Sequence, residues 1–408
     1  MKNLLCALAT LVFSVGFCQE NKAGQAEKAL TKALDSIVKL GTFNGFSVAI
    51  ASEKGKLYSK GFGYSDVASR KFYSDKTIQN IGSVSKPLVG IAIMKAVELG
   101  KLKLDDDVNN YLPFKVVNPK FPNVPITVRQ LATHTSSIVD TDVYLNKNYF
   151  IKPDQDLEGL PLEYDGQKFI PRSEALTLEN YLKAVLTIDG SYFTEAIYVG
   201  KPGEFYEYSN TATALAAIVV AQSVKIPFAT FTEKYILKPL KMNHSGWDFS
   251  MVDFKSYSRL YADPKSPLPF YTLTTYPDGN FITSADDMSK FMSELINGYE
   301  GKGKILSRES YAEYFRPQLK AANFKERNEK NPYSESYNVG IFMGFGYTGL
   351  IGHTGGDPGV SSMLFFDPKT KIARYMVVNT NFHDKEGMRT FYAIIDLLQK
   401  YQSELNSK

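Results

Sequence analysis

A chain of 408 residues with 44% hydrophobic and 22% charged side chains has the composition of a soluble globular protein with one or two cores, which excludes a disordered chain. Its 47 basic residues nearly balance its 43 acidic ones, for a net charge of +4; with no basic run and no interleaving of basic and aromatic residues, nucleic acid is excluded as the expected partner. Tyr and Phe raise the aromatic content to 13%, enough bulk for a large core.

The N-terminus has the layout of a secretory signal peptide over residues 1–18. Lys2 is followed by an apolar stretch from Leu4 to Phe17 and then by polar Gln19, Glu20, Asn21 and Lys22, too short for a membrane span. A periplasmic or secreted protein is expected, with no transmembrane span after cleavage. Cys6 and Cys18, the only cysteines, both fall in this segment, so the mature unit, about 20–404, has neither a disulfide framework nor a thiol catalyst. Lipid attachment at Cys18 is the less favoured alternative, because Phe17 is bulkier than the small residue such a site prefers.

Downstream, Ala26, Leu30, Ala33, Ile37 and Leu40 recur at helical spacing and predict an amphipathic helix over 25–40. Phe46 to Ala51, the turn Glu53-Lys54-Gly55 and Leu57 to Tyr64 predict a β-hairpin. Leu88 to Leu99 reads as a buried helix ended by Gly100, with Pro87 in its first turn. From about Leu104 to Gly298, proline-rich loops alternate with helices, notably Thr211 to Gln222 and Ala285 to Leu295. Leu350 to Thr354, Ser361 to Phe366 and Ile372 to Asn379 then read as strands, with Asp367-Pro368-Lys369-Thr370 as a turn, before a last helix from Glu386 to Tyr401. The fold class is therefore α/β in the α+β sense. An antiparallel sheet drawn from both chain ends (about 25–80 and 320–404) is flanked by N- and C-terminal helices, and a mostly helical region (about 81–319) is inserted into one catalytic unit.

Three short motifs bear on chemistry. Gly82-Ser83-Val84-Ser85-Lys86 places a lysine three residues after a serine, on the same face of a helix, where a deprotonated amine can take the hydroxyl proton. The same Ser-x-x-Lys pattern occurs at Ser36-Ile37-Val38-Lys39, on the first amphipathic helix, where it reads as surface. Alone, the second copy fits a helix capped by Ser83 as well as a nucleophile. Tyr208-Ser209-Asn210, after the turn Pro202-Gly203-Glu204, brings together a phenol able to relay a proton and an amide able to hold a carbonyl; Tyr144-Leu145-Asn146 repeats its spacing. His353-Thr354-Gly355-Gly356 lies on a predicted strand where glycines permit close approach of a substrate backbone.

In this order, Ser-x-x-Lys, Tyr-Ser-Asn and His-Thr-Gly resemble the motif set of the penicillin-recognising serine hydrolases, a superfamily that joins class C β-lactamases, D-specific serine peptidases and related esterases. The resemblance extends through Leu131 to Ser136, Pro202 to Asn210, Lys238 to Met242 and Gly279 to Asp287, from about Phe46 to Asn379. It implies the β-lactamase/transpeptidase-like fold, Ser83 as the acylated nucleophile, Lys86 as its base or proton shuttle and Tyr208 as the second proton-transfer group. Asn210, His353, Thr354 and Gly355 would bind substrate. The backbone N–H groups of Ser83 and Gly356 would form the oxyanion hole. Specificity would lie in loops within Asn146 to Thr177 and Ser256 to Asp278.

Three positions depart from the family pattern. His353 stands where class C β-lactamases usually carry lysine, which weakens capture of a β-lactam carboxylate. Ser136-Ser137 replaces the more usual Ser-Gly, and Asn210-Thr211-Ala212-Thr213 the more usual Asn-x-Gly-Tyr. The expected activity is hydrolysis of an ester or peptide-like amide through an acyl-enzyme, with D-amino-acid peptides among the substrates. The alternatives are a class C-like β-lactamase and a non-catalytic receptor for penicillin or cell-wall fragments. The expected partner is a small-molecule or peptide substrate, and the oligomeric state is open. No cofactor is expected, and His134, His244, His353 and His383 show no metal-ligand spacing. No Gly-x-Ser-x-Gly elbow occurs, and Gly298 to Lys304 approaches a phosphate loop but has Ile305 where a metal-binding hydroxyl belongs.

Overall fold

The computed structural model describes residues 22–325, 337–346 and 348–407; the segment read as a signal peptide, with both cysteines, lies outside them. The main sheet has eight strands: β1 (Gly45–Ser52), β2 (Gly55–Asp66), β3 (Lys71–Phe72), β4 (Asn338–Val339), β5 (Gly344–Phe345), β6 (Ile351–Asp357), β7 (Val360–Asp367) and β8 (Ile372–Val378). They lie in the order β4-β5-β6-β7-β8-β1-β2-β3, every neighbouring pair antiparallel. β1 joins the two chain ends by pairing with β8 from Phe46 opposite Val378 to Ser52 opposite Ile372.

The principal helices are α1 (residues 22–38), α2 (Lys86–Glu98), α3 (Asn210–Val224), α4 (Ala285–Tyr299) and α5 (Lys385–Leu405). Side chains alternate across a strand, so Phe46, Val48 and Ile50 of β1 join Met376 and Val378 of β8 on one face. There they pack with Leu30 and Leu34 of α1 and Ile394 and Leu398 of α5. Ala49 and Ala51 face the other way, into the larger core with Tyr375, Val377 and the helices of the inserted region. Because both faces are covered, all of β1 is buried.

α2 and α3 run through that larger core and are apolar nearly all round. Lys86 to Met94 and Thr211 to Val220 are buried without a break, as expected of helices with no solvent face. Each large aliphatic side chain in them, such as Leu88 or Ile91, contributes ~1.5–3 kcal/mol on burial. α2 starts two residues earlier than its apolar run suggests, directly after the 3₁₀ turn Gly82–Ser85. Among the described residues, no single helix is long and apolar enough to cross a membrane.

The inserted region also holds a second sheet, in which Tyr271–Leu273, Tyr149–Ile151, Gln167–Ile170 and Glu163–Tyr164 lie side by side. Strands this short leave no readable alternation, and the sequence shows them only as loops. The phosphate-loop-like stretch is the turn that closes α4, with Lys302 N–H bonded to the Asn297 carbonyl at 2.7 Å. Ser36 sits on α1, exposed, and donates to the Lys32 carbonyl one turn back.

Candidate active site

Ser83 stands in the turn that leads into α2, with Lys86 as the first residue of the helix proper. Gly82 makes this turn possible. Its φ is +55°, and a Cβ there would lie 2.8 Å from the Gly356 nitrogen, so only glycine lets the turn lie against β6. Gly355 does the same from the strand side, where a Cβ would meet the Ile81 carbonyl oxygen at 2.2 Å and the Ser83 nitrogen at 3.1 Å. The Ser362 hydroxyl donates to the same Ile81 carbonyl at 2.6 Å and fastens turn to sheet.

Lys86 Nζ donates to Ser83 Oγ at 2.9 Å, to Asn210 Oδ1 at 2.7 Å and to the Asp278 carbonyl at 2.8 Å. Tyr208 donates its hydroxyl to Ser83 Oγ at 2.7 Å, and the lysine ammonium lies 4.9 Å from the centre of the same phenol ring. Lys86 is fully buried. Burial pulls its pKa down to about 8, against the opposing attraction of Asp278, Asp140 and Asp357, and so brings the neutral amine within reach of ordinary pH. Three of the four residues named from the first two motifs, Ser83, Lys86 and Tyr208, thus meet at one oxygen.

Asn210 opens α3. Its side-chain nitrogen donates to Asp140 Oδ2 at 2.9 Å, which turns its carbonyl oxygen toward Lys86 and leaves one amide hydrogen for a ligand. Asp140 also accepts from the Asn210 and Thr211 backbone N–H groups and the Thr211 hydroxyl. This aspartate therefore caps the helix and aligns the amide. Nothing in the sequence around Asp140 announces that role, since its partners lie 70 residues downstream.

His134 supports the phenol. It is buried, with φ +55°. Its ring centre lies 4.5 Å from that of Tyr208, and its Nδ1 accepts the Ser209 N–H at 3.2 Å. Burial holds its pKa well below the ordinary histidine value, with Lys86 adding to the effect, so the ring is neutral and Nδ1 serves as an acceptor. The stretch Leu131 to Ser136 marks the neighbourhood in the sequence without showing this contact.

His353 and Thr354 line a cavity of about 440 Å³ beside Tyr208, together with Tyr206, Tyr337 and Phe365. Desolvation lowers the His353 pKa to about 4, helped by Lys86. The residue is thus neutral at pH 7, where a lysine would be positive. Gly355 lines neither this cavity nor its neighbour; it packs closely against the turn that carries Ser83. Ser83 and Gly356 border both cavities.

The second cavity, about 480 Å³, opens on the Asn210 side and is walled by Tyr144, Tyr149, Asp278 and Asp357. Tyr144 donates to Asp278 Oδ1 and Tyr149 to Asp357 Oδ1, each at 3.0 Å. Burial raises the Asp278 pKa to about 7 and that of Asp357 to about 8. Tyr144 is the first residue of the second Tyr-x-Asn tripeptide, which turns out to wall this cavity.

Residues 30–399 match the family model described as Beta-lactamase. The chain belongs to this family. Among curated relatives, the protein flp of Staphylococcus aureus strain N315 is 24% identical over 364 residues, which cover 87% of this chain and 64% of the relative; the chain thus spans less than two thirds of that protein's length. Among solved structures, the octameric penicillin-binding protein homologue from Pyrococcus abyssi superposes with a TM-score of 0.69 at 25% identity, covering 92% of this chain and 77% of the other. The D-amino acid amidase from Ochrobactrum anthropi SV3 gives a TM-score of 0.66 at 19% identity, covering 92% and 99%. The α+β architecture and the family expected from the ordered motifs are both borne out.

Proposed function

We propose that this Beta-lactamase family member hydrolyses an ester or peptide-like amide, peptides with D-residues included, through an acyl-enzyme on Ser83. The observation that carries the reading is the convergence of Lys86 Nζ and Tyr208 OH on Ser83 Oγ, at 2.9 and 2.7 Å. With Lys86 neutral, the same contact reverses and the amine takes the serine proton as Oγ attacks the acyl carbon. The carbonyl oxygen then becomes an oxyanion between the backbone N–H groups of Ser83 and Gly356. Collapse of the tetrahedral intermediate expels the leaving group, which takes a proton from Tyr208; Lys86 passes the serine proton on to the phenolate, so that both groups regain their starting states, and a water molecule then repeats the sequence to release the acid and restore the Ser83 hydroxyl. Asn210 steadies Lys86 and offers its remaining amide hydrogen to the substrate.

The neutral His353 supports ester and amide substrates over β-lactams, because a lactam carboxylate finds no fixed cation at that position. The N-terminal segment supports a place of work in the periplasm or outside the cell. The test is acylation and turnover together. Intact-mass analysis with a fluorophosphonate probe should show one adduct that Ser83→Ala abolishes, and short-chain esters should turn over faster than a chromogenic cephalosporin. Unchanged ester hydrolysis in Ser83→Ala would falsify the mechanism, while a permanent adduct without turnover of any substrate would favour the receptor.

A further inference from the structure

A third cavity, about 470 Å³, lies between α5 and the face of the main sheet that α5 covers, and its size is that of a small-molecule site. Its walls are mostly apolar. Met363 and Phe365 of β7 and Met376 of β8 form the sheet side. Tyr392, Ile395 and Leu398, at three-residue spacing along α5, form the helix side. The cavity shares Gly346, Thr354 and Phe365 with the one beside Tyr208, but Ser83, Tyr208 and His353 do not line it. It is a neighbour of the candidate active site and distinct from it.

Arg374 is the one charged side chain among the described residues lining this cavity. It stands on β8 opposite Ile50 of β1 and Phe365 of β7. Side chains alternate across the strand, so Arg374 leaves the sheet on the same face as Ile50 and Met376, which pack with α5. It is 7% exposed, and its Nη1 has no hydrogen-bond partner among the described residues. Burial lowers its pKa, and Asp367 opposes this through charge alone, without a hydrogen bond. A guanidinium keeps its proton in proteins all the same. A fixed cation buried without a bonded anion is costly.

A carboxylate entering the cavity would supply the missing acceptor, in the planar paired geometry that a guanidinium favours. One guanidinium balances one negative charge, which selects a monoanion over a phosphate dianion, and the apolar walls select an anion that carries a hydrocarbon chain. We infer that the cavity between the sheet and α5 binds a single-chain fatty acid of medium length, with its carboxylate on Arg374 and its chain against Phe365 and Ile395. This site is additional to the acyl-enzyme chemistry proposed at Ser83 and does not depend on it.

The test is calorimetric titration of the whole protein with octanoate, 1-octanol, octyl phosphate and acetate. Octanoate should bind saturably, at least about tenfold more tightly than 1-octanol, as expected for a desolvated charge pair, and more tightly than octyl phosphate. Acetate, which lacks the chain, should show no saturable binding. Arg374→Gln should bring octanoate down to the level of 1-octanol, and Ile395→Trp, which fills the cavity, should weaken both. The inference fails if octanoate does not bind, if 1-octanol or acetate matches it, or if Arg374→Gln leaves its affinity unchanged, the last of which would place it in the cavities at Ser83. Tighter binding of octyl phosphate would overturn the fatty acid in favour of a phosphate-bearing lipid. Should a variant not fold, the four titrations of the wild-type protein decide alone.

Discussion

Lys86 can act as a base only while it holds no proton, and burial has moved that condition to about pH 8. Activity should therefore fall with falling pH, close to tenfold per unit below ~7 as the neutral fraction shrinks, and level off above about 8. A pH profile of kcat/KM on a neutral ester checks this, and Lys86→Ala should lower the plateau by ~10²–10⁴-fold. Asp140 offers a second test at this scale. Asp140→Ala leaves four donors without their acceptor and should cost about 1–2 kcal/mol of stability as a lost helix cap, seen in urea unfolding, while kcat falls more than stability alone explains. The two residues also show what a sequence reveals. Ser83 and Lys86 share one turn, so their relation is written in their spacing. Asp140, Asp278 and Asp357 act across gaps of 70 residues or more, and no local pattern marks them.

Among the elements, the turn Gly82–Ser85 and strand β6 are fitted to each other by the absence of side chains. Gly82→Ala would set a Cβ 2.8 Å from the Gly356 nitrogen at a φ of +55°. It should destabilise the protein by about 1–3 kcal/mol and displace Ser83 from Lys86. A lower melting temperature together with slower labelling of Ser83 by fluorophosphonate is the expected result. The long elements were legible because their periodicity runs over many residues: α2, α3, α4 and α5 and strands β1, β2, β6, β7 and β8 all lie where the apolar pattern puts them, with ends shifted by a few residues. The small sheet around Tyr149 was not legible, since strands of two to four residues are held by partners and not by pattern. Its location matters because Tyr149, Tyr164 and Gln167 wall the cavity on the Asn210 side, the part of the site whose specificity the motifs left open.

For the molecule as a whole, Asp278 and Asp357, which wall the cavity on the Asn210 side, set a pH dependence of stability. Unfolded aspartates titrate near 3.8, but in the native state Asp278 titrates at about 7 and Asp357 at about 8. Between these values the native state keeps protons that the unfolded state has lost, so the contribution of this pair to stability falls as pH rises from about 4 to about 8. Asp357→Asn removes one such group, and its melting temperature relative to wild type should climb between pH 5 and pH 8. A flat difference would show that the carboxyl is not held protonated. The pairing of β1 with β8 has a further consequence for how the molecule comes into being. The strand that presses on the Ser83 turn, β6, is anchored to the N-terminal hairpin only through β7 and β8, more than 300 residues along the chain. Closing so long a loop is slow and must precede the contacts that reward it. During synthesis Ser83 is made early and the strand that walls it late, so on the acyl-enzyme reading proposed above the nascent chain carries Ser83 without a complete site until its last strands have joined the first.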